Sequence, residues 1–120
     1  MYSDHRVTKR SLSPTDTLVM TAAGLNHSGN GNDELNEPCG IFVDTNLDLY
    51  VADGNNSRIQ LFQTGQTSGI TVAGASAPQT ILLSYPTGVA LDANGYLFIV
   101  DSSSTRVIGS SANGFRCRTW

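Results

Sequence analysis

The sequence has little charge, a single lysine and no long apolar run. Charged residues make up 14% of the 120 residues, and acidic residues outnumber basic ones to give a net charge of −3. Proteins that bind nucleic acid usually carry a concentrated positive surface, so no nucleic-acid partner is predicted. No apolar stretch approaches the roughly 20 residues that a membrane-spanning helix needs, so membrane insertion is not predicted either.

Helical patterning is also missing from the chain. No segment places apolar residues at helical spacing over three or more turns, although 39% of the residues are hydrophobic and the chain can therefore fold. Twelve glycines, together with scattered Asn, Ser and Thr, indicate many turns and short strands. These features predict an all-β protein.

An internal repeat organises most of the sequence. A shift of 48 residues, from Pro38 to Pro86, superimposes seven identical residues among the 21 positions that end at Arg58. The identical pairs are Pro38 and Pro86, Gly40 and Gly88, Asp44 and Asp92, Asn46 and Asn94, Leu49 and Leu97, Asp53 and Asp101, and Arg58 and Arg106. Because turn residues and apolar positions stay in register together, the two segments are predicted to have the same structure.

A third, partial copy precedes the two full copies. Arg6 aligns with Arg58, and residues 21–24 resemble residues 71–74. Met1 stands where the repeat expects an aspartate five residues before Arg6. We therefore predict residues 1–24 as the tail of a preceding repeat, 25–74 as one repeat, and 75–120 as a second repeat whose last strand is incomplete or terminal.

Each full copy is predicted to contain four short strands separated by turns. The first two strands are apolar on both faces, as in Ile41–Val43, whereas a strand with one solvated face would alternate. Four strands in roughly 40–50 residues is the spacing of β-propeller blades, which pack face to face. The predicted fold is a propeller fragment of about two and a half four-stranded blades. An antiparallel sandwich is the alternative, although a sandwich does not usually repeat its sequence.

The repeat resembles a known family. Pro-x-Gly-Ile-x-Val-Asp, then Leu-Tyr-Val-Ala-Asp, then Asn-x-Arg-Ile-Gln-x-Phe, read from Pro38 to Phe62, is similar to the NHL repeat. The second copy, from Pro86 to Val107, resembles it with Ser in place of the loop asparagines. The resemblance implies a propeller of roughly six blades. Its members include platforms on ubiquitin ligases, RNA-binding proteins, extracellular sensors and a metal-dependent amidating lyase, so the fold alone does not choose a function.

Two charged pairs recur at one phase of the repeat. Asp53 precedes Arg58 by five residues, and Asp101 precedes Arg106 by the same distance. A catalytic pair would not normally be duplicated in successive blades. We predict structural loop pairs, in which Asp accepts backbone N–H bonds and Arg bonds to Asp or to a carbonyl. No catalytic residue is predicted.

No metal site and no cofactor are predicted. The stretch Asp44-x-Asn46-x-Asp48 begins like a calcium loop, but its sixth position is Leu49 rather than Gly and its twelfth is Asn55 rather than Glu. A hairpin turn is the better interpretation. His5 and His27 lie on predicted loops without acidic or thiol partners at the spacing of metal ligands.

Cysteines and sequons bear on the cellular location. Cys39 and Cys117 fall at different phases of the repeat, too far apart in a propeller to form a bridge, so buried thiols are predicted. A bridge from Cys117 to a cysteine beyond Trp120 is the alternative. Asn26 and Asn55 begin Asn-x-Ser sequons on predicted loops and are possible glycosylation sites. These features favour an extracellular or cell-surface location over a cytoplasmic one.

The predicted function is that of a non-enzymatic scaffold. A protein or peptide ligand would bind loops on one rim, and the remaining blades of a parent propeller would be structural partners. One alternative is part of an amidating-lyase or lactonase-like enzyme whose metal ligands lie on other blades. Another is an interaction platform of a ubiquitin-ligase-type protein. The predicted rim residues are Gly54, Asn55, Asn56, Ser57, Ser102, Ser103, Ser104 and Thr105.

Overall fold

The computed structural model describes residues 4–15, 18–75, 77, 81–111 and 114–118, the last five and residue 111 through the backbone alone. Ten strands and two single 3-10 turns account for the regular structure in these ranges. Within them, no helix is long and apolar enough to cross a membrane. The strands are β1 (Arg6–Arg10), β2 (Val19–Gly24), β3 (Pro38–Val43), β4 (Leu49–Asp53), β5 (Arg58–Phe62), β6 (Ile70–Ala73), β7 (Pro86–Leu91), β8 (Leu97–Asp101), β9 (Arg106–Ser111) and β10 (Gly114–Arg118).

The strands form three antiparallel sheets that follow the order of the chain. Strands β3 to β6 make one four-stranded meander, called blade A below, and β7 to β10 make a second, called blade B. Strands β1 and β2 form a two-stranded sheet, called the half-blade. The first strand of each full blade is its inner strand, because β3 and β7 face each other across the boundary between the blades.

The half-blade and blade A share the same register between their two outer strands. In blade A, Ile59 on β5 is opposite Ala73 on β6, and a β-bulge follows Ile59. In the half-blade, Val7 is opposite Ala23, and a bulge follows at the same place. The half-blade therefore corresponds to the two outer strands of a full blade, in agreement with the partial third copy in the sequence.

The predicted strands of the two full copies are all present, but two of them start earlier than expected. Strands β3 and β7 begin at Pro38 and Pro86 rather than at Ile41 and Val89. Each proline is opposite an aspartate of the next strand, and a bulge separates it from the following glycine. Proline is tolerated at the first residue of a strand or at a bulge, so the strand pairing of both blades extends through it.

Two apolar clusters hold the sheets together. The cluster between blades A and B contains the fully buried Ile59, Ile99 and Ile108. The cluster between the half-blade and blade A contains Leu35, Val51 and Phe62. Both faces of blade A are therefore packed, which is why its central strands are apolar on both sides rather than alternating.

Glycine is required where the inner strands meet. A Cβ atom added at Gly40 would lie 2.4 Å from the carbonyl oxygen of Thr87 and 3.2 Å from the Cα of Gly88. A side chain at this position would force β3 and β7 apart, because the obstacle is backbone that cannot turn away. The Pro-x-Gly sequence thus sets the spacing of neighbouring blades.

Candidate functional site

Asp53 is the centre of a buried hydrogen-bond network at one end of blade A. Its carboxylate accepts the backbone N–H of Asn36 at 2.7 Å, the side-chain amide of Asn56 at 2.8 Å and the Nε of Arg58 at 2.8 Å. The Asp53 side chain is fully buried and that of Arg58 is 10% exposed. The ion pair is therefore shielded from water, and charge-assisted hydrogen bonds hold its two side chains in place.

Arg58 extends this network to the segment that joins the half-blade to blade A. Its guanidinium donates to the carbonyl oxygens of Asn30, Gly31 and Glu34 at 3.2, 2.9 and 2.7 Å. These carbonyls belong to the connection between β2 and β3. The pair of Asp53 and Arg58 consequently clamps the chain as it passes from one sheet to the next, and we call it the blade A clamp.

Asp101 and Arg106 form the equivalent blade B clamp. Asp101 accepts the backbone N–H groups of Ser84 and Tyr85, the latter at 2.8 Å, and its Oδ2 lies 3.2 Å from a terminal nitrogen of Arg106. Arg106 also donates to the carbonyl oxygen of Leu82. Burial alone would raise the pKa of Asp101, but the N–H bonds from Ser84 and Tyr85 and the nearby Arg106 together lower it.

Both clamps lie under loops at the same end of the sheets, which we call the upper rim. Each loop is a 3-10 turn, Gly54–Asn56 in blade A and Ser102–Ser104 in blade B. Ser57 and Thr105 follow these turns with positive φ angles of 54° and 49°, and His5 has a φ of 50° before Arg6. The left-handed residue before each arginine therefore belongs to the repeat, although it is not a glycine.

The predicted rim residues differ in accessibility. Ser102 to Thr105 are all exposed, but in blade A only Asn55 is exposed. Gly54 is buried against the Tyr85 ring, so it does not belong to the contact surface. The Asn56 amide donates to Asp53 and to the Gly29 carbonyl, and the Ser57 hydroxyl donates to the Ser84 carbonyl at 2.7 Å. These two side chains are committed to the framework.

A cleft opens beside the exposed Asn55. Its volume is about 400 Å³, and it lies between the blade A turn and the connection from β6 to β7. Amide and hydroxyl groups line one side and leucines the other. The lining residues are Asn30, Asn55, Asn56, Ser57, Arg58, Ala75, Leu82 and Leu83. The cleft thus offers hydrogen-bonding groups next to an apolar wall, a combination typical of ligand sites.

A second polar group on the upper rim links the two blades. The Tyr85 hydroxyl donates to Glu37 Oε1 at 2.7 Å, and this hydrogen bond, together with burial, raises the pKa of Tyr85. Glu37 has a positive φ of 55°, and the Cys39 thiol donates to its carbonyl oxygen at 3.2 Å. Glu37 and Tyr85 occupy the same repeat position, 48 residues apart. The repeat pattern does not predict this pairing, because the two residue types differ.

The opposite end of the sheets, the lower rim, carries the Asp44 and Asp92 turns. Asp44 Oδ1 accepts the N–H groups of Asn46 and Asp48, and Asp92 Oδ1 accepts those of Asn94 and Tyr96. These carboxylates face their own backbone, as a hairpin turn requires. Leu47 has a φ of 65° in the first turn, where the second has Gly95 with a φ of 82°.

The remaining candidates do not converge on a reactive centre. His5 Nδ1 accepts the N–H of Glu37 at 3.2 Å, and His27 Nδ1 lies 3.4 Å from Glu34 Oε2, an acidic neighbour that the sequence did not predict. Asn26 is exposed. Cys39 is a half-buried thiol, and the Cys117 side chain lies outside the described part of the chain. Within the described ranges, no group of three or more acidic, His or Cys side chains could hold a metal ion.

Comparison with solved structures places these sheets in the β-propeller class. An auxiliary nutrient binding protein from Bacteroides ovatus aligns with a TM-score of 0.76 at 15% identity, over 98% of this chain and 34% of that one. One from Bacteroides thetaiotaomicron aligns with a TM-score of 0.73 at 16% identity, over the same shares of the two chains. The chain therefore spans about a third of the length of these relatives, as part of a propeller. This confirms the predicted all-β fold.

The family comparison agrees with the sequence motif. Residues 35–62 match the NHL repeat, so the chain contains an NHL repeat that runs from the end of the β2–β3 connection through β5. No curated protein sequence matches the chain. The matched segment contains both residues of the blade A clamp, Asp53 and Arg58. It does not contain residues 30, 31 and 34, whose carbonyls Arg58 binds.

Proposed function

We propose that this chain is a non-enzymatic binding segment of a propeller, which takes a protein or peptide ligand on the upper rim. The observation that carries the proposal is the cleft beside Asn55, which combines the side-chain amides of Asn30 and Asn55 with an apolar wall on a clamped framework. A peptide presents both backbone hydrogen-bonding groups and apolar side chains, so its chemistry fits these two walls.

The buried clamps support a binding role because they keep the rim in place without a ligand. Among the described residues, every buried side-chain nitrogen or oxygen has a hydrogen-bond partner, so the framework is satisfied internally. A rim held in this way loses little conformational entropy on binding. The structural relatives are described as nutrient binding proteins, which also favours binding as the class of function.

The proposal is tested by selecting ligands and then blocking the cleft. Peptides are selected from a random displayed library on the 120-residue chain, and amino acids and simple sugars are measured in parallel by calorimetry. Asn55→Trp fills the cleft and should weaken binding of the selected peptides about tenfold or more. Thr45→Trp, at an exposed position on the lower rim, is the matched control and should leave binding unchanged.

Two results would contradict the proposal. If selected peptides bind the Asn55→Trp and Thr45→Trp variants equally, the upper rim is not the site. If sugars or amino acids bind and no peptide does, the ligand class is wrong although the site can be correct. Melting curves of both variants show whether a loss of binding reflects a loss of folding.

A further inference from the structure

We propose that Asn30 is a modification site, at which the side-chain amide is lost and the main chain rearranges when the blade A clamp releases the connection between β2 and β3. Asn30 is exposed and is followed by Gly31, which has no side chain to obstruct an attack on its neighbour. Although Asn30 also lines the upper-rim cleft, the inference does not depend on the proposed function.

The reaction uses only this chain and water. The backbone nitrogen of Gly31 attacks Cγ of Asn30 and closes a succinimide ring, while the Cγ–Nδ2 bond breaks. The leaving Nδ2 takes the proton of the Gly31 nitrogen and departs as ammonia. Water then opens the ring. Cleavage of the bond between Cγ and the Gly31 nitrogen gives aspartate, whereas cleavage at the main-chain carbonyl carbon gives isoaspartate, in which the main chain runs through Cβ and Cγ and is therefore longer.

The folded connection protects the attacking nitrogen. Gly31 N–H donates to Glu34 Oε1 at 2.9 Å, and Glu34 N–H donates back to the Gly31 carbonyl oxygen at 3.2 Å. The proton that must leave is thus bound to a carboxylate oxygen, and both the hydrogen bond and the negative charge disfavour its loss. Glu34 therefore slows the attack on Asn30 as long as this turn is closed.

The blade A clamp holds the same turn from the other side. Its guanidinium reaches three carbonyl oxygens of the connection, those of Asn30, Gly31 and Glu34. Arg58 donates to them at 3.2, 2.9 and 2.7 Å, respectively. Ring closure draws the peptide group between Asn30 and Gly31 into the ring, so we expect it to require release of the carbonyls that Arg58 holds.

The rearranged product does not fit the closed connection. Arg58 holds three carbonyls of one short stretch at the same time, and isoaspartate at position 30 lengthens the chain within that stretch. The connection should therefore stay open after the rearrangement, whereas aspartate keeps the original chain length and lets the clamp close. Because ammonia is lost, the site records an opening of the connection irreversibly.

Another Asn-Gly pair of the chain provides an internal reference. Asn94 and Gly95 lie in the exposed turn between β7 and β8, where the Gly95 N–H donates to the neutral carbonyl of Asp92 at 3.1 Å. This turn is on the lower rim, at the opposite end of the sheets from both clamps. Its rate of conversion should therefore not respond to the clamps.

The test follows conversion of Asn30 in the 120-residue chain by peptide mapping with chromatography and mass spectrometry. Conversion should be at least about tenfold slower in the folded chain than in the same chain unfolded in urea, because it needs the connection to open. Asp53→Ala should speed conversion in the folded chain at least about tenfold, since it removes the carboxylate that holds Arg58. Glu34→Gln should also speed it, because a glutamine oxygen accepts the Gly31 N–H without a negative charge.

Asp101→Ala is the matched control, because it removes the carboxylate of the blade B clamp and should leave conversion of Asn30 unchanged. Asn94 is measured in every sample, and its rate should be the same in all folded variants. The proposal is overturned if Asn30 converts equally fast in folded and unfolded chain, or if Asp53→Ala does not change its rate. It is also overturned if Asp53→Ala speeds Asn94 equally, since the effect is then general unfolding.

Amide hydrogen exchange tests the fate of the product. In chains enriched for isoaspartate at position 30, the Gly29 and Asn55 amides should exchange at least about tenfold faster than in the unmodified chain. Asn30→Asp carries the charge without the longer chain, so its exchange should stay within about threefold of the unmodified chain. Slow exchange in the isoaspartate form, or equally fast exchange in Asn30→Asp, would overturn the proposed effect of the longer chain.

Discussion

The strongest test of the clamp interpretation is Asp53→Ala. The change removes the acceptor of three hydrogen bonds, from Asn36, Asn56 and Arg58, and leaves an arginine whose side chain is only 10% exposed without its counter-charge. Removing one partner of a buried ion pair costs about 3–5 kcal/mol. Each 1.4 kcal/mol is a factor of about ten, so the connection from β2 to β3 should open at least about a hundredfold more often.

The assay is amide hydrogen exchange at residues that report on this connection. Gly29 N–H donates to the Leu35 carbonyl and Asn55 N–H donates to the Asn36 carbonyl, so both amides should exchange at least about a hundredfold faster in Asp53→Ala. Asp101→Ala is the matched comparison. Arg106 is 29% exposed and water can solvate it, so the effect at the Ser102 amide should be smaller, about tenfold.

The reasoning is refuted by either of two results. Exchange at Gly29 and Asn55 that changes less than about threefold would mean that the clamp does not hold the connection. Unchanged exchange combined with abolished binding of a rim ligand would make Asp53 a functional residue rather than a structural one.

Four further predictions follow from the same structure. The pKa of Asp101 is lower in the folded state than in the unfolded state, so its carboxylate stabilises the fold above the unfolded pKa and loses this contribution as pH falls through the folded pKa. The urea midpoint of the chain should therefore fall below about pH 4, and the midpoint of Asp101→Asn should fall less. Leu47→Gly should stabilise the chain by about 0.5–1 kcal/mol in urea unfolding, because Leu47 is 69% exposed and left-handed; a lower midpoint would contradict this. The chain alone should elute ahead of a compact 12.7 kDa monomer in size-exclusion chromatography, because apolar faces lack neighbours and favour self-association; elution as a compact monomer would contradict this. We propose that the protein is extracellular, so mass spectrometry of the native protein should find glycan on Asn26 or Asn55, or a disulfide at Cys117. Unmodified asparagines with both cysteines freely alkylated would indicate the cytoplasm.

The two predictions made for Asn55 exclude each other in one molecule. Asn55 is the exposed residue of the blade A turn and also begins a sequon. A glycan attached there would occupy the mouth of the cleft that we propose for the ligand. Asn26 lies outside the residues that line this cleft, so glycan on Asn26 alone is the modification compatible with peptide binding on the upper rim.

The sequence by itself determined the repeat and hence the fold. Turn residues such as Asp44 act locally, because the side chain bonds its own backbone, so the pattern of one copy is enough to place them. The spacing of Asp53 and Arg58 likewise places the two side chains opposite each other on adjacent strands. These turns and charged pairs could be predicted from the sequence because they depend on local geometry and because two copies of one pattern show them.

Tertiary structure alone decided what each repeat position contacts. The carbonyls that Arg58 holds lie 24 to 28 residues away in the sequence, on a connection with no recognisable motif. The hydrogen bond of Glu37 with Tyr85 joins unlike residues at one repeat position. Ile41 and Val89 have the same place in the pattern, yet only one is covered, because burial depends on the neighbouring sheet and not on the residue itself.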